Sequence, residues 1–197
     1  MDLLSRLAEA VADARRLMER VVSEQGEAVA AAARLLADTL STGGKVLIFG
    51  NGGSAADSQH IAAEFVNRFQ VERPPLAALA LTTDTSILTS IANDYAFAEV
   101  FAKQVQALGR PGDVAWGLST SGSSLNVVLA LERARALGLK TLALSGGNGG
   151  PVAAQADLAI VVPSRNTPRI QEVHITVGHV LCDLVDYLLF PEKFANS

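Results

Sequence analysis

The sequence predicts an α/β fold: a three-layer sandwich with helices on both faces of a five-stranded, parallel, doubly wound sheet, preceded by two N-terminal helices. Three observations carry this. Short apolar runs without alternation recur along the chain, as strands covered on both faces require. Each run ends in a turn rich in glycine or small polar residues, and most of these turns open into a helical stretch. At 197 residues the chain makes one domain, of a size that buries roughly 70% of its unfolded surface. Within it, residues 1–42 read as helices serving mainly an oligomer interface, and 43–197 as the sheet and its flanking helices.

The two leading helices run from Leu3 to Glu24 and from Gly26 to Leu40. Leu3, Leu7, Val11, Leu17 and Val21 mark one apolar face, and Val29, Ala32, Leu36 and Leu40 the other. Val46 to Phe49 is the first strand. Gly50, Gly52 and Gly53 then allow a tight turn with positive φ and close approach of a ligand to the backbone. Ser54 is the expected N-cap of a helix carrying Ala55, Ala56, Ala62 and Ala63. A glycine turn feeding a helix N-terminus presents free N–H groups and a partial positive charge, which favours anionic or strongly polar ligands. On that helix His60 and Glu64 stand at i and i+4 on one face. They can share a metal or a proton path, or form only a surface ion pair.

The same turn fits the loose dinucleotide fingerprint G-x-G-x-x-A, but the acidic residue that fingerprint needs about 20 positions on is missing. Arg68, Glu72 and Arg73 occupy that region, and no Gly-Lys-Ser/Thr of a P-loop follows, so no nucleotide cofactor is expected.

The segment from Pro74 to Asp84 holds the second strand. A helix over Ser86–Ala92 breaks at Asn93-Asp94, and another runs from Phe97 to Leu108. Asn93 and Asp94 are ordinary turn residues, and in a carbohydrate site the same pair holds hydroxyls. Asp113–Leu118 is the third strand and runs straight into Ser119-Thr-Ser-Gly-Ser-Ser124, ahead of a helix from Leu125 to Leu137. Five hydroxyls in those six residues, with turn N–H groups and a helix dipole pointing inward, make a neutral cradle that suits a phosphate without any lysine. For a single serine, helix capping explains the residue equally well.

Lys140–Ser145 is the fourth strand, Gly146-Gly-Asn-Gly-Gly-Pro151 a glycine-dense turn into a short helix, and Asp157–Val162 the fifth strand. The loops of such a sheet gather at its carboxyl edge, where ligands bind. The last helix spans Arg169 to Phe190, with Ile170, Val173, Val177, Leu181, Leu184 and Leu188 on its core face. Gln171, His174 and His179 interrupt its apolar pattern. His179 lies ~80° round from Gln171 and His174 ~60° the other way, so periodicity does not choose between the two histidines.

The net charge is −4, and the Lys and Arg residues are scattered without a run, which argues against a nucleic-acid partner. Hydrophobic residues are 49% of the chain and charged ones only 18%, more apolar surface than one domain buries, so oligomerisation is expected. Cys182 is the only cysteine, in an apolar segment, and reads as a buried, inert thiol in a reducing compartment. The charged N-terminus does not suit a signal peptide and no apolar run reaches membrane-spanning length. A soluble, cytoplasmic protein without a membrane partner is expected.

Taken together, Gly50-Asn-Gly-Gly-Ser54, Gln59-His-Ile-Ala-Ala-Glu64, Asn93-Asp94, Ser119-Thr-Ser-Gly-x-Ser124 and Arg169-Ile-Gln-Glu-x-His174 through His179 resemble the phosphoheptose isomerases, of the sugar isomerase (SIS) domain superfamily. The resemblance covers nearly the whole chain. It implies a homotetramer with sites at subunit interfaces, which interconverts sedoheptulose 7-phosphate and D-glycero-D-manno-heptose 7-phosphate, the first step towards nucleotide-activated heptose. It also implies that Ser119, Thr120, Ser121 and Ser124 hold the phosphate and that Asn51, Gly52, Gly53, Asn93, Asp94 and Gln171 take part in binding the sugar. Glu64 and His179 would carry the chemistry. In zinc-bearing members the ligands match His60, Glu64, Gln171 and His179. Two positions depart from the family pattern: Pro168 stands where several isomerases carry an aspartate, and Ser123 where asparagine is frequent.

The residue types agree with the implied reaction. Ketose-to-aldose isomerisation moves a proton from C1 to C2 through an enediol, which needs a carboxylate base near the carbon and an acid or electrophile at the oxygen. Glu64 suits the base and His179 the acid, and a zinc ion can replace or assist the acid. The spacing alone does not specify zinc, because glutamine is an uncommon ligand, and a metal-bound carboxylate is a weaker base. The alternative is a non-catalytic binding protein resembling the DnaA initiator-associating protein, to which Glu72-Arg-Pro, Ile91-Ala-Asn-Asp and the segment Leu181-Cys-Asp-Leu-Val-Asp through Leu-Phe-Pro191 are similar. That group lacks the acid and the imidazole matching Glu64 and His179, whereas this chain has both. A sensor that binds a sugar phosphate without turnover is a third reading.

Overall fold

The computed structural model describes residues 2–195. Its sheet contains β1 (Val46–Gly50), β2 (Ala78–Ala80), β3 (Val114–Ser119), β4 (Lys140–Gly146) and β5 (Leu158–Val162). All neighbours pair in parallel, in the order β2-β1-β3-β4-β5. Alternate strand residues feed two separate cores. Val46, Ile48, Val114, Trp116, Leu142, Leu144 and Ile160 pack under α1 (Leu3–Ser41), α2 (Gly53–Val66) and α7 (Thr167–Leu189). Leu47, Phe49, Ala115 and Ala143 pack under α4 (Val100–Leu108), α5 (Leu125–Ala136) and α6 (Gly150–Gln155). The expected three-layer, doubly wound sandwich is therefore present.

Several boundaries move for local reasons. The two expected N-terminal helices are one continuous helix of 39 residues. A Cβ at Gly26 would meet nothing within 4 Å among the described residues, and one half-buried glycine costs a helix only about 1 kcal/mol against alanine, too little to break a long alanine-rich run. The Asp2 carboxylate caps α1 by accepting from the Ser5 N–H at 2.8 Å. Strand β2 is confined to three residues at the sheet edge, since Pro74 and Pro75 before it have no N–H to give. Helix α3 (Thr85–Asp94) starts one residue early, because Asp84 accepts from the Ile87 N–H at 2.9 Å. It also continues through Asn93-Asp94, so the break falls at Tyr95-Ala96, ahead of a 3-10 turn over Phe97–Glu99 that leads into α4.

A buried ion pair links the two helices that carry the chemistry-bearing residues. Arg73 donates from Nε to Asp186 at 2.8 Å, and its other nitrogens reach the carbonyls of Phe65 at 2.7 Å and Glu64 at 2.9 Å. The guanidinium of the segment just after α2 thus adds to the helix's C-terminal capping, beyond the Asn67 N–H bond to the Ala63 carbonyl. Cys182 is buried as expected, and burial pushes its thiol upward, away from the reactive thiolate.

Candidate active site

The registers Gly50↔Leu118, Ser119↔Ser145 and Gly146↔Val162 bring the strand ends level, so the turns after β1, β3, β4 and β5 share the carboxyl edge. After β1 the chain turns at Gly52, with φ 55°, and α2 begins at Gly53. Gly52 occupies the N-cap place. Ser54, expected there, sits in the first turn, where it is buried and its carbonyl accepts from Ser58 Oγ at 2.7 Å. Of the three glycines only Gly52 has positive φ. At Gly50 the requirement is space, since a Cβ would stand 2.9 Å from the Leu118 carbonyl oxygen, and at Gly53 it would collide with the Gln171 side-chain amide.

Helices α2 and α7 touch where a Cβ on Gly178 would lie 2.7 Å from Ile61. That close approach sets His60 against His179, with Nε2 to Nε2 at 2.8 Å and ring centroids 5.0 Å apart. Phe69 stacks on the His179 ring at 5.4 Å, and Glu64 Oε1 lies 3.5 Å from His60 Nε2. Two imidazole nitrogens at this distance share one proton, one as donor and the other as acceptor. The structure thus joins His60, Glu64 and His179 in one cluster.

As the side chains lie, no group of three or more His, Cys, Asp or Glu among the described residues is arranged to hold a metal. The donor types of the cluster nevertheless fit zinc: two imidazole nitrogens, a carboxylate oxygen and, reached through Asp57, the Gln171 amide. The two nitrogens now face each other, closer than two ligands of one ion stand.

Gln171 reaches Asp57, one helical turn before His60, by donating Nε2–H to Oδ1 at 3.4 Å. Asp57 is buried, and its other carboxylate oxygen has no partner among the described residues. Burial raises its pKa above the usual carboxylate value, opposed by the Gln171 hydrogen bond and by the two imidazoles. Sequence reading did not single out Asp57. The i, i+3, i+7 spacing of Asp57, His60 and Glu64 was the available signal.

The serine loop is a connected set of hydroxyls. Ser119 Oγ lies 2.9 Å from Ser124 Oγ and 3.3 Å from Ser121 Oγ, and Ser123 turns its N–H and Oγ to Ser121 Oγ at 3.2 and 3.1 Å. Ser123 therefore keeps a hydrogen-bonding role. Ser124 occupies the N-cap place of α5 but makes no side-chain cap bond, so its hydroxyl is not spent on capping. Thr120 is half-buried beside it. The glycine-dense turn after β4 presses on this loop: Val152 N–H donates to the Gly122 carbonyl at 3.0 Å, and a Cβ on Gly150 would sit 2.5 Å from that same oxygen. A Cβ on Gly146 would strike the Thr120 carbonyl.

Asn51 joins the two halves of the site. Its amide exchanges two hydrogen bonds with buried Asn126, at 2.9 and 2.8 Å, tying the turn after β1 to the first turn of α5. Asn126 was not foreseen, since nothing in a single helical asparagine announces a partner 75 residues away. Asn93 and Asp94 stand apart from these groups. They are exposed on the last turn of α3, where Asn93 donates to Asp94 at 2.8 Å. Pro168 is exposed in the first turn of α7.

The two histidines of α7 are distinct. His174 is fully buried against β4, with Nε2 3.2 Å from the Ser145 carbonyl, and burial lowers its pKa to about 4. It is a core histidine held neutral. Unfolding lets it take up a proton below its ordinary pKa near 6.5, so stability is full above that value and lost as pH falls towards 4. Urea unfolding at pH 7 and pH 5 is expected to show the wild type losing about 2 kcal/mol from this residue, and His174→Gln losing correspondingly less.

An SIS domain family model matches residues 11–146. The phosphoheptose isomerase of Nitratidesulfovibrio vulgaris (Miyazaki F) is 55% identical over 187 residues, 95% of this chain and 90% of that protein. Among solved structures, a phosphoheptose isomerase from Neisseria gonorrhoeae aligns with TM-score 0.89 at 46% identity, covering 94% of this chain and 99% of that one. One from Francisella tularensis aligns with TM-score 0.90 at 39% identity, with the same coverage. The chain belongs to the SIS domain family and, within it, to the phosphoheptose isomerases.

Proposed function

We propose that this protein is an aldose–ketose isomerase converting D-sedoheptulose 7-phosphate to D-glycero-D-manno-heptose 7-phosphate through an enediol, in activated-heptose biosynthesis. The observation that carries the reading is the presence of a hydroxyl cradle at the carboxyl edge of the sheet together with, between α2 and α7, a carboxylate beside two touching imidazoles. The named relatives support the same reaction.

The phosphate lies in the cradle of Ser119, Thr120, Ser121 and Ser124, with the α5 N-terminus behind it. Asn51, Gly52 and Gly53 offer the sugar an amide and close backbone, and Asn93 and Asp94 hold further hydroxyls. Glu64 removes the C1 proton of the ketose and returns a proton to C2, while His179 donates to the C2 carbonyl oxygen and accepts from the C1 hydroxyl. His60 is hydrogen-bonded to His179 and so orients its ring. Zinc, if bound, is held by His60, Glu64, Gln171 and His179 and supplies a Lewis acid that polarises the carbonyl.

The working unit is a homotetramer with the site completed across a subunit interface. Leu3, Leu4, Leu7 and Val11 are exposed along α1, and an apolar groove between α1 and α7 is lined by Val21, Val22, Val29, Val177, Val180 and Leu184. Asn93 and Asp94, which bond each other, are free to serve a neighbour's pocket. No helix among the described residues is long and apolar enough to cross a membrane. The lone buried thiol suits a reducing cytoplasm.

The test is incubation with sedoheptulose 7-phosphate in deuterated water, with metal-stripped protein and with added zinc, followed by NMR. Aldoheptose carrying deuterium at the transferred position is expected, and the zinc dependence assigns the electrophile. Absence of product and exchange in both arms would replace the enzyme reading with a binding role. The cradle has its own test. Gly146→Ala drives a methyl into the Thr120 carbonyl and is expected to raise KM roughly 10-fold or more, as displaced positioning groups do, with a smaller effect on kcat.

A further inference from the structure

Gln171 is held from two sides. Its amide lies over Gly53, at a place where any Cβ would collide with it, and its Nε2–H donates to Asp57 Oδ1 at 3.4 Å. An amide has two nearly isosteric orientations, one presenting oxygen to its surroundings and the other NH2, and what decides between them is the partner of the buried end. A carboxylate only accepts, so Asp57 selects the orientation in which the NH2 is spent on it and the carbonyl oxygen is left free. Asp57 itself is buried, with Oδ2 lacking a partner among the described residues, an arrangement that costs stability. It stands one turn before His60 and two before Glu64, on the same face of α2.

We propose that Asp57 is a positioning residue that fixes the Gln171 amide so that its oxygen, not its NH2, is presented to the site. This rests on the isomerase reading for its kinetic consequence but not for its geometry. An oxygen there accepts from a sugar hydroxyl or meets a cation, whereas an NH2 repels a cation and competes for the Glu64 carboxylate.

The test uses the full-length protein and three variants: Asp57→Asn, Gln171→Glu and the double variant. Asp57→Asn preserves volume but removes the selection, and is expected to lower kcat roughly 10- to 100-fold, the usual effect of losing an orienting partner, with KM within about 3-fold. Gln171→Glu sets two carboxylates against each other and is expected to lose at least as much. In the double variant the amide introduced at position 57 donates its NH2 to the carboxylate introduced at position 171. Oxygen again faces the site, so kcat is expected to recover above both single variants. A purely structural role for Asp57 predicts multiplying defects instead, and that result would overturn the proposal, as would Asp57→Asn with unchanged kcat. An activity-independent reading comes from the Gln171 side-chain NH2 signal in 15N–1H NMR spectra, assigned by its loss in Gln171→Glu. Slow exchange with water in the wild type and fast exchange in Asp57→Asn are expected, and equal exchange would sink the idea. A wild type inactive on the sugar phosphate would sink the isomerase reading alone, leaving the exchange measurement to decide the role of Asp57.

Discussion

Glu64→Gln is expected to lower kcat by roughly 10²- to 10⁴-fold, the range a positioned general base contributes, while leaving KM and Tm nearly unchanged. The substitution is isosteric and the Glu64 side chain is only partly buried, 21% exposed, with His60 as its ion-pair neighbour among the described residues at 3.5 Å. Stability therefore has little at stake there, because a partly exposed pair contributes little to folding. The fold-neutral loss separates chemistry from scaffold. Deuterium wash-in at the transferred carbon should fall in parallel with turnover. Were Glu64→Gln to keep its exchange rate, the base would lie elsewhere, and buried Asp57 would be the next carboxylate to examine.

The largest expected effect on stability belongs to Arg73. Arg73→Met strands the Asp186 carboxylate, already 1% exposed, and leaves the Phe65 and Glu64 carbonyls without their donor. Breaking one partner of a buried pair costs about 3–5 kcal/mol. In a chain of this size that corresponds to a fall in Tm of roughly 10 °C. Asp186→Leu in the Arg73→Met background removes the stranded charge, so thermal melts of the double variant should regain part of the loss. A double variant no more stable than Arg73→Met would mean that the carbonyls capped by the guanidinium, not the charge, dominate. Because those carbonyls end the helix bearing Glu64, Arg73→Met should also depress turnover at temperatures where it remains folded.

Much of this architecture was legible because its signals are local. The unalternating strands, the glycine turn, the serine loop and the His60–Glu64 spacing each lie within one short segment, and in the structure the two loops follow β1 and β3 at the carboxyl edge while His60 and Glu64 share one face of α2. What escaped depends on contacts between distant segments. Arg73 and Asp186 are 113 residues apart, and nothing near Arg73 distinguishes it from the exposed Arg68. The two histidines of α7 could not be ranked because their roles follow from which face meets β4 and which meets α2. His174 meets the Ser145 carbonyl, and His179 meets His60. The continuous α1 escaped because a glycine looks like a break in a sequence, although its cost of about 1 kcal/mol is smaller than the helix around it can bear.

The pin between Asn51 and Asn126 has a consequence for kinetics. Both of its hydrogen bonds run between neutral amides, which neither titrate across the accessible pH range nor attract counterions. The tie between the turn after β1 and the first turn of α5 is thus indifferent to acidity and ionic strength. A bell-shaped rate profile measured above the acid unfolding range can accordingly be assigned to ionisations of the reacting groups and of the Asp57 carboxyl that orients Gln171, because this tie does not titrate underneath it.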